Sequence, residues 1–522
     1  IIPMSGFGER FRKVGYKVPK PLIEVDGIHM IGHVINLFPG EKDFIFICNQ
    51  DHLLDKNYRM RDIIKSYCPT GKIVSIKPHK LGPVHAVLEV SGLINLNEKV
   101  VVNYCDFSCF WNWKNFKNFI SESKCHGAIP AYKGFHPHSL GTTNYAYMKE
   151  ERGVLKDIQE KKPFTKNRIN EFASSGTYYF SSGGLLLDSF NSIKEKNYSV
   201  NGEFYVSLAY KELLNRKKNV FVYPLKYFFQ WGTPEDLEEY LFWSRTFRSF
   251  INKDKSPIEK KGSLIVPMAG IGKRFIDEGY IKPKPLIEIQ NKPMVLRSVE
   301  SLPQSLNKVF VIREGMKGIK QISSMIKKDY PESKIKLLKE ITEGQAISSL
   351  KGLEELNRAI DLSPLTIASC DSGYIFDNEK FQQLLNQKSI DVIIWATRNH
   401  ANAKRNPEMF GWIDSDENGK IREVSVKKPF ENDLSKFLIT GTFTFKNVNH
   451  FKKAVKSLID KGKKINGEFY LDSCINECIF FGYSCYIFEV ESYISWGTPN
   501  DLNTFQYWQS AFNEWHYHPY SL

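Results

Sequence analysis

At 522 residues the chain is too long for one ordinary domain, and long enough to bury sizeable cores without disulfide staples. Its 42% hydrophobic and 25% charged residues exclude a chain that is mainly disordered, collagenous or membrane-spanning. A net charge of +14 invites nucleic acid, acidic lipid or phosphorylated small molecules, but the charges are dispersed with no long basic block, which argues against nucleic acid.

In chain order, a short apolar strand (Ile1–Met4) leads into a glycine loop and a polar, helix-like stretch. The strand DFIFICN (43–49) is followed by a helical stretch near 55–67. KIVSIKP (72–78) precedes VHAVLEVSGLI, and KVVVNYCD (99–106) ends at an Asp. Strands alternating with helices predict an α/β fold with a mostly parallel sheet flanked by helices. In such sheets ligands bind beyond the carboxyl ends of the strands, close to Gly6, Gly82 and Asp106 here. Apolar runs such as DFIFIC and DVIIWA are of strand length, so no membrane insertion is expected. The opening IIPMSGFGERF shows no charged region followed by an apolar stretch, so no secretion leader is expected and a cytoplasmic protein is. Nine cysteines without Cys-x-x-Cys spacing or an adjoining His cluster read as buried thiols rather than a zinc site. His85, His136 and His138 form no ligand set and are read as structural or solvated.

The chain is an internal duplication. Residues 1–30 align with 265–294 without a gap, and sixteen of the thirty positions are identical. PKPLIE at 19–24 recurs at 283–288, and Cys105-Asp106 recurs as Cys370-Asp371. Lys-Pro-Phe at 162–164 recurs at 428–430, NGEFY at 201–205 recurs at 466–470, and the Trp-Gly-Thr-Pro of Trp231 recurs from Trp496. The predicted organisation is copy 1 over 1–250, a polar linker over 251–263, and copy 2 over 264–522.

In the first loop, Gly6 and Gly8 let backbone N–H groups approach a phosphate chain, and the helix start that follows adds positive potential. Arg10 offers a fixed fork of donors to phosphate oxygens, and Lys20 sits between Pro19 and Pro21, which stiffen its backbone. Gly270, Gly272, Arg274 and Lys284 repeat the pattern. The missing third Gly excludes the dinucleotide fingerprint, and the missing Gly-Lys-Ser/Thr excludes a Walker loop.

PMSGFGERF…PKPLIEV and PMAGIGKRF…PKPLIEI resemble the signature of sugar-1-phosphate nucleotidyltransferases over nearly all of both halves. The resemblance implies two tandem Rossmann-like domains of the glycosyltransferase-A type. It also implies joining of an NTP to a phosphorylated sugar or similar small molecule with release of pyrophosphate, in a bacterial surface-polysaccharide pathway. Arg10, Lys20, Arg274 and Lys284 would be catalytic. Gly82-Pro83 and Gly344-Gln345 would read the nucleobase, and Asp106 and Asp371 would hold Mg2+. Lys162 and Lys428 would grip the acceptor phosphate, Gly176 and Gly441 would lie beside the acceptor, and Glu203 and Glu468 would contact its hydroxyls. Asn-Gly-Glu before apolar residues is also a helix-start signal, so Glu203 has a capping alternative. Trp231 and Trp496 are read as core or wall residues.

Two departures from the family pattern stand out. Gln230 and Ser495 occupy the place of a second metal-binding Asp, and Glu-Lys-Pro becomes Lys161-Lys162-Pro163 and Lys427-Lys428-Pro429, preceded by Glu160 in the first copy and Val426 in the second. The alternatives are one active copy with one degenerate copy, a glycosyltransferase of the same fold, and a non-catalytic nucleotide-binding module. Asp106-Phe-Ser108 and Asp371-Ser-Gly373 lack the Asp-x-Asp that a glycosyltransferase favours.

Overall fold

The computed structural model describes residues 1–251, 261–356, 363–433 and 435–521. Most of the expected linker, 251–263, lies outside the described residues. The chain divides into two compact units: Ile1–Arg248 with the chain from Tyr507 on, and Ser249–Gln506.

In unit 1 the parallel strands run in the order Lys72–Ile76, Ile45–Asn49, Ile2–Met4. The backbone bond from Asn103 N to Ile1 O, at 3.0 Å, carries this sheet on to Val100–Asn103. From there it continues through Thr177–Phe180, Gly127–Tyr132 and Val220–Leu225. Unit 2 repeats the order with Lys334–Leu338, Asn307–Arg313, Ser263–Pro267, Leu365–Ala368, Phe437–Phe445, Val392–Thr397 and Cys485–Glu489. The first four strands of unit 2 are parallel, as the alternating pattern predicts. Phe437–Phe445 then runs antiparallel to both its neighbours, so the sheet is parallel on one side and mixed on the other.

Ile45–Asn49 is buried throughout, as a strand covered on both faces must be. Its alternation sends Phe46 and Cys48 into one core and Ile45 and Ile47 into the other, so helices pack on each face. The strand order reverses between Ile2–Met4 and Val100–Asn103, and again between Ser263–Pro267 and Leu365–Ala368. Chain leaving the carboxyl ends of these neighbouring strands diverges and opens a crevice there. The glycine loop follows one strand of each pair and Asp106 or Asp371 follows the other.

The domain reading departs from the structure at the C-terminus. The sequence places the chain from Tyr507 on in copy 2, but it packs within unit 1. The Tyr507 hydroxyl accepts from the Phe228 N–H at 3.1 Å and donates to the Phe228 carbonyl at 2.9 Å. Trp508 stacks on Phe229 with ring centroids 5.9 Å apart, and Lys226 pairs with Glu514 at 2.5 Å. The reason is apolar cover: Tyr507, Trp508, Phe512 and Trp515 supply aromatic area for the rings of Tyr227, Phe229 and Tyr240.

Trp231 and Trp496 are buried core residues, as read. All nine cysteines are free, and eight are buried. His136 and His138 are buried against Tyr132, and burial lowers the His136 pKa to about 4, which keeps it neutral. No helix among the described residues is long and apolar enough to cross a membrane.

Candidate active sites

Each glycine loop ends on a left-handed residue, Gly8 at φ 65° and Gly272 at φ 71°, which N-caps a short helix. A β-carbon on Gly8 would lie 3.8 Å from Lys20 Cβ, and one on Gly272 would lie 3.3 Å from Lys284 Cβ. The loop and the lysine are therefore packed together. Arg10 and Arg274 are exposed on the helix that follows. Gly6 and Gly270 have open space around them.

Lys20 and Lys284 each begin a one-turn helix between prolines. Lys20 Nζ lies 2.5 Å from Asp106 Oδ2 and donates to the Gly232 carbonyl at 3.0 Å. Lys284 pairs with Asp371 and reaches the Gly497 carbonyl at 3.3 Å. Three motifs separated by up to 213 positions thus meet at one point in each copy. Burial works to lower the Lys284 pKa, but the Asp371 carboxylate outweighs it and the net shift is upward. Burial likewise opposes ionisation of Asp371, while Lys284 and the Ser369 hydroxyl hold its carboxyl below the usual range. The pair is therefore charged at neutral pH.

Among the described residues no three His, Cys, Asp or Glu side chains cluster as a metal set; in copy 2 the Asp501 carboxylate lies near enough to Asp371 for the two charges to oppose each other. Gln230 occupies the neighbouring strand end, its amide within 2.5 Å of where a Gly232 β-carbon would stand. In copy 2, Ser495 Oγ donates instead to Asp501 at 3.2 Å. Asp501 is not a spare ligand. It also accepts from Thr498 at 2.8 Å and from Asn402 at 2.9 Å, and so closes the helix start at Pro499. A hard divalent cation fits Asp106 and Asp371 as one carboxylate with neighbouring oxygen donors, provided that substrate phosphates complete its shell.

The base loop and NGEFY are one construction. Gly82 at φ 87° and Gly344 at φ 114° precede helices that start at Pro83 and Gln345. Phe204 N donates to Leu81 O at 2.9 Å and Val84 N to Phe204 O at 3.2 Å; Phe469 makes the matching bonds to Glu343 and Ala346. A β-carbon on Gly82 would come within 2.8 Å of Phe204 backbone atoms, and one on Gly344 within 2.6 Å of Phe469 O, so only glycine fits.

The capping alternative for Glu203 fails. Helix Val206–Asn215 is N-capped by Tyr205 without a side-chain bond. Asn201 at φ 53° and Gly202 at φ 77° instead form a two-residue hairpin turn closed by Val200 and Glu203, and Asn466-Gly467 repeats it. The turn carries Glu203 half-buried and Glu468 exposed beside the base loop.

Gly176 at φ 98° and Gly441 at φ 84° lie next to the Asp strand, where Tyr104 N donates to Gly176 O at 3.0 Å. Lys162 and Lys428 are exposed. Their neighbours Lys161 and Lys427 adopt left-handed backbone, φ 59° and 60°, and lie over Tyr205 and Tyr470 at 4.4 and 5.0 Å. Sequence reasoning missed Asp472. Burial pushes its carboxyl up to about 6, against its own backbone N–H and Lys427. Only a comparison of the two copies position by position would have singled it out.

The family model for nucleotidyl transferases matches residues 1–239 and again 264–476. The chain belongs to the nucleotidyl transferase family. Both of the expected tandem copies are matched. A curated relative, mannose-1-phosphate guanylyltransferase catalytic subunit beta of Dictyostelium discoideum, is 26% identical over 219 residues. That match covers 40% of this chain, which spans about half (55%) of the relative's length. Among solved structures, a nucleoside-diphosphate-sugar pyrophosphorylase from Vibrio cholerae RC9 is 20% identical, with a TM-score of 0.38, covering 46% of this chain and 98% of that one. The inositol-1-phosphate CTP transferase from T. maritima is 15% identical, with a TM-score of 0.38, covering 49% and 98%.

Proposed function

We propose that each copy of this nucleotidyl transferase joins an NTP to a phosphorylated sugar or similar phosphorylated small molecule, giving a nucleotide-activated product and pyrophosphate. The observation that supports this most directly is the twofold occurrence of a lysine, a strand-end aspartate and a glycine carbonyl beside a glycine loop. An acceptor phosphate oxygen attacks the NTP α-phosphorus in line. The new P–O bond forms as the bond to the β-phosphate oxygen breaks, and the electron pair leaves on pyrophosphate. A phosphate monoester is already ionised at neutral pH, so no general base is required. Catalysis rests on positioning and charge neutralisation.

In this reading the backbone of Gly6, Gly8, Gly270 and Gly272 receives the triphosphate, and Arg10 and Arg274 steady the leaving phosphates. Lys20 and Lys284 move from their aspartates to the reacting phosphates. Gly82-Pro83 and Gly344-Gln345 face the base, and the two loops differ enough for different base preferences. Lys162 and Lys428 anchor the acceptor phosphate, Gly176 and Gly441 leave room for its body, and Glu203 and Glu468 face its hydroxyls. Asp106 and Asp371 would hold Mg2+, which would supply charge neutralisation at the phosphates. We place the product in bacterial surface-polysaccharide assembly. Mass spectrometry of the protein incubated with each NTP and a panel of sugar phosphates tests the reading. A nucleotide-sugar with matching pyrophosphate is expected; hydrolysis alone, or no product from any pair, would reject it.

A further inference from the structure

Among the described residues the strand Tyr227–Gln230 pairs only with Phe107–Phe110, in a two-stranded ribbon. Asp106 precedes one strand of the ribbon, and Trp231-Gly232 follow the other. Two bonds close it at that end: Trp231 N donates to the Asp106 carbonyl at 3.0 Å, and Lys20 donates to the Gly232 carbonyl at 3.0 Å. There is little slack. A β-carbon on Gly232 would stand 3.1 Å from Asp106 Oδ2 and 2.5 Å from the Gln230 amide nitrogen. A shift of the ribbon therefore moves the Gly232 carbonyl and the Asp106 carboxylate, and with them the Lys20 ammonium that both hold.

One side chain ties the outer edge of this ribbon. The Tyr507 hydroxyl accepts from the Phe228 N–H at 3.1 Å and donates to the Phe228 carbonyl at 2.9 Å, so it meets both main-chain groups that an edge residue leaves unpaired. Phe228 is 1% exposed, so water cannot take the hydroxyl's place. Burial raises the Tyr507 pKa, which keeps the hydroxyl protonated for the bond it donates. Apolar cover alone would need only a ring at this position, against His136 and Tyr227 at 5.0 and 5.7 Å. The hydroxyl adds direction rather than area. Tyr507 lies eleven residues after Trp496, and the residue eleven after Trp231 is Phe242, which has no hydroxyl to offer.

We propose that Tyr507 is a positioning residue for copy 1. Its hydroxyl fixes the ribbon whose end carries Asp106 and the Gly232 carbonyl, and through them it aims Lys20 at the reacting phosphates. The site of copy 1 is thus completed by a side chain that follows copy 2 in sequence. The inference rests on the function proposed above.

The test uses the full chain with Asp371→Asn to isolate copy 1 and Asp106→Asn to isolate copy 2. Tyr507→Phe keeps the ring and removes the hydroxyl. Single-turnover pyrophosphate release, with protein in excess over NTP, gives a rate constant that does not scale with the fraction of folded protein. Tyr507→Phe should lower this rate in copy 1 by about tenfold or more, the scale of a small misplacement of reacting groups, with NTP KM changed by less than about twofold. The rate in copy 2 should stay within about twofold. Glu514→Gln weakens the neighbouring pair with Lys226 and spares the bonds to Phe228, so it should leave both rates within about twofold. Hydrogen exchange read by mass spectrometry reports the tie without substrate. In Tyr507→Phe, peptides over 227–232 and 106–110 should exchange faster than in wild type, and those over 492–497 should not. An unchanged copy 1 rate, an equal loss in both copies, an equal loss in Glu514→Gln, or unchanged exchange over 227–232 would overturn the inference. Wild-type protein that releases no pyrophosphate with any substrate pair would instead reject the proposed reaction, and the exchange measurement would still judge the tie.

Discussion

Lys20 and Lys284 are each held by an aspartate and a glycine carbonyl. Each ammonium is thereby aimed at the strand end where phosphates would collect. Lys20→Ala and Lys284→Ala should lower kcat at their own sites by about 10²–10³, the usual effect of removing one preorganised charge, with little change in nucleotide affinity. Single-turnover rates in site-isolated protein check this; normal turnover in Lys20→Ala would place that lysine outside the reaction. Glu160 gives a pH signature of its own. Its pKa rises from 4.5 to about 7 on folding, so between those values the folded state binds more protons than the unfolded state. Stability of unit 1 therefore falls as pH rises through that window, by roughly 3 kcal/mol. Thermal melts of Glu160→Gln should lose this fall and gain stability at pH 8 relative to wild type. An unchanged pH profile would show that Glu160 is not the titrating group.

At the level of elements, much of the site was legible because its parts are short and chemically constrained. A glycine loop after a strand, a lysine between prolines and an Asp ending a strand can be read without a fold. What could not be read was their company. That Gly82 touches the Phe204 backbone follows from a hairpin about 120 residues away, which the glycine's own surroundings in sequence do not reveal. Asn201-Gly202 carries a helix-start signal in sequence, whereas its positive φ angles make a hairpin turn, because Asn-Gly serves both purposes and tertiary context chooses. Gly82→Ala and Gly344→Ala test the contact. Each added methyl meets backbone rather than a yielding side chain, in a conformation that disfavours L-residues. A loss of roughly 1–3 kcal/mol is expected in chemical denaturation of the affected unit, with weaker nucleotide binding there. Wild-type stability in both variants would mean that the loop relaxes freely.

For the whole molecule, the duplication was plain from sequence because each landmark recurs at a nearly constant offset. The end of the second copy was not. The chain from Tyr507 on continues copy 2 in sequence but packs within unit 1, and only the aromatic surface it covers explains why. The central claim is that two complete sites, one per copy, perform nucleotidyl transfer. Asp106→Asn and Asp371→Asn, singly and together, test it most directly when products across an NTP and sugar-phosphate panel are read by mass spectrometry. Each single variant should lose one set of products and keep the other, and the double variant should make none. Loss of every product from one single variant, with no loss from the other, would show that only one copy is catalytic and would contradict the account.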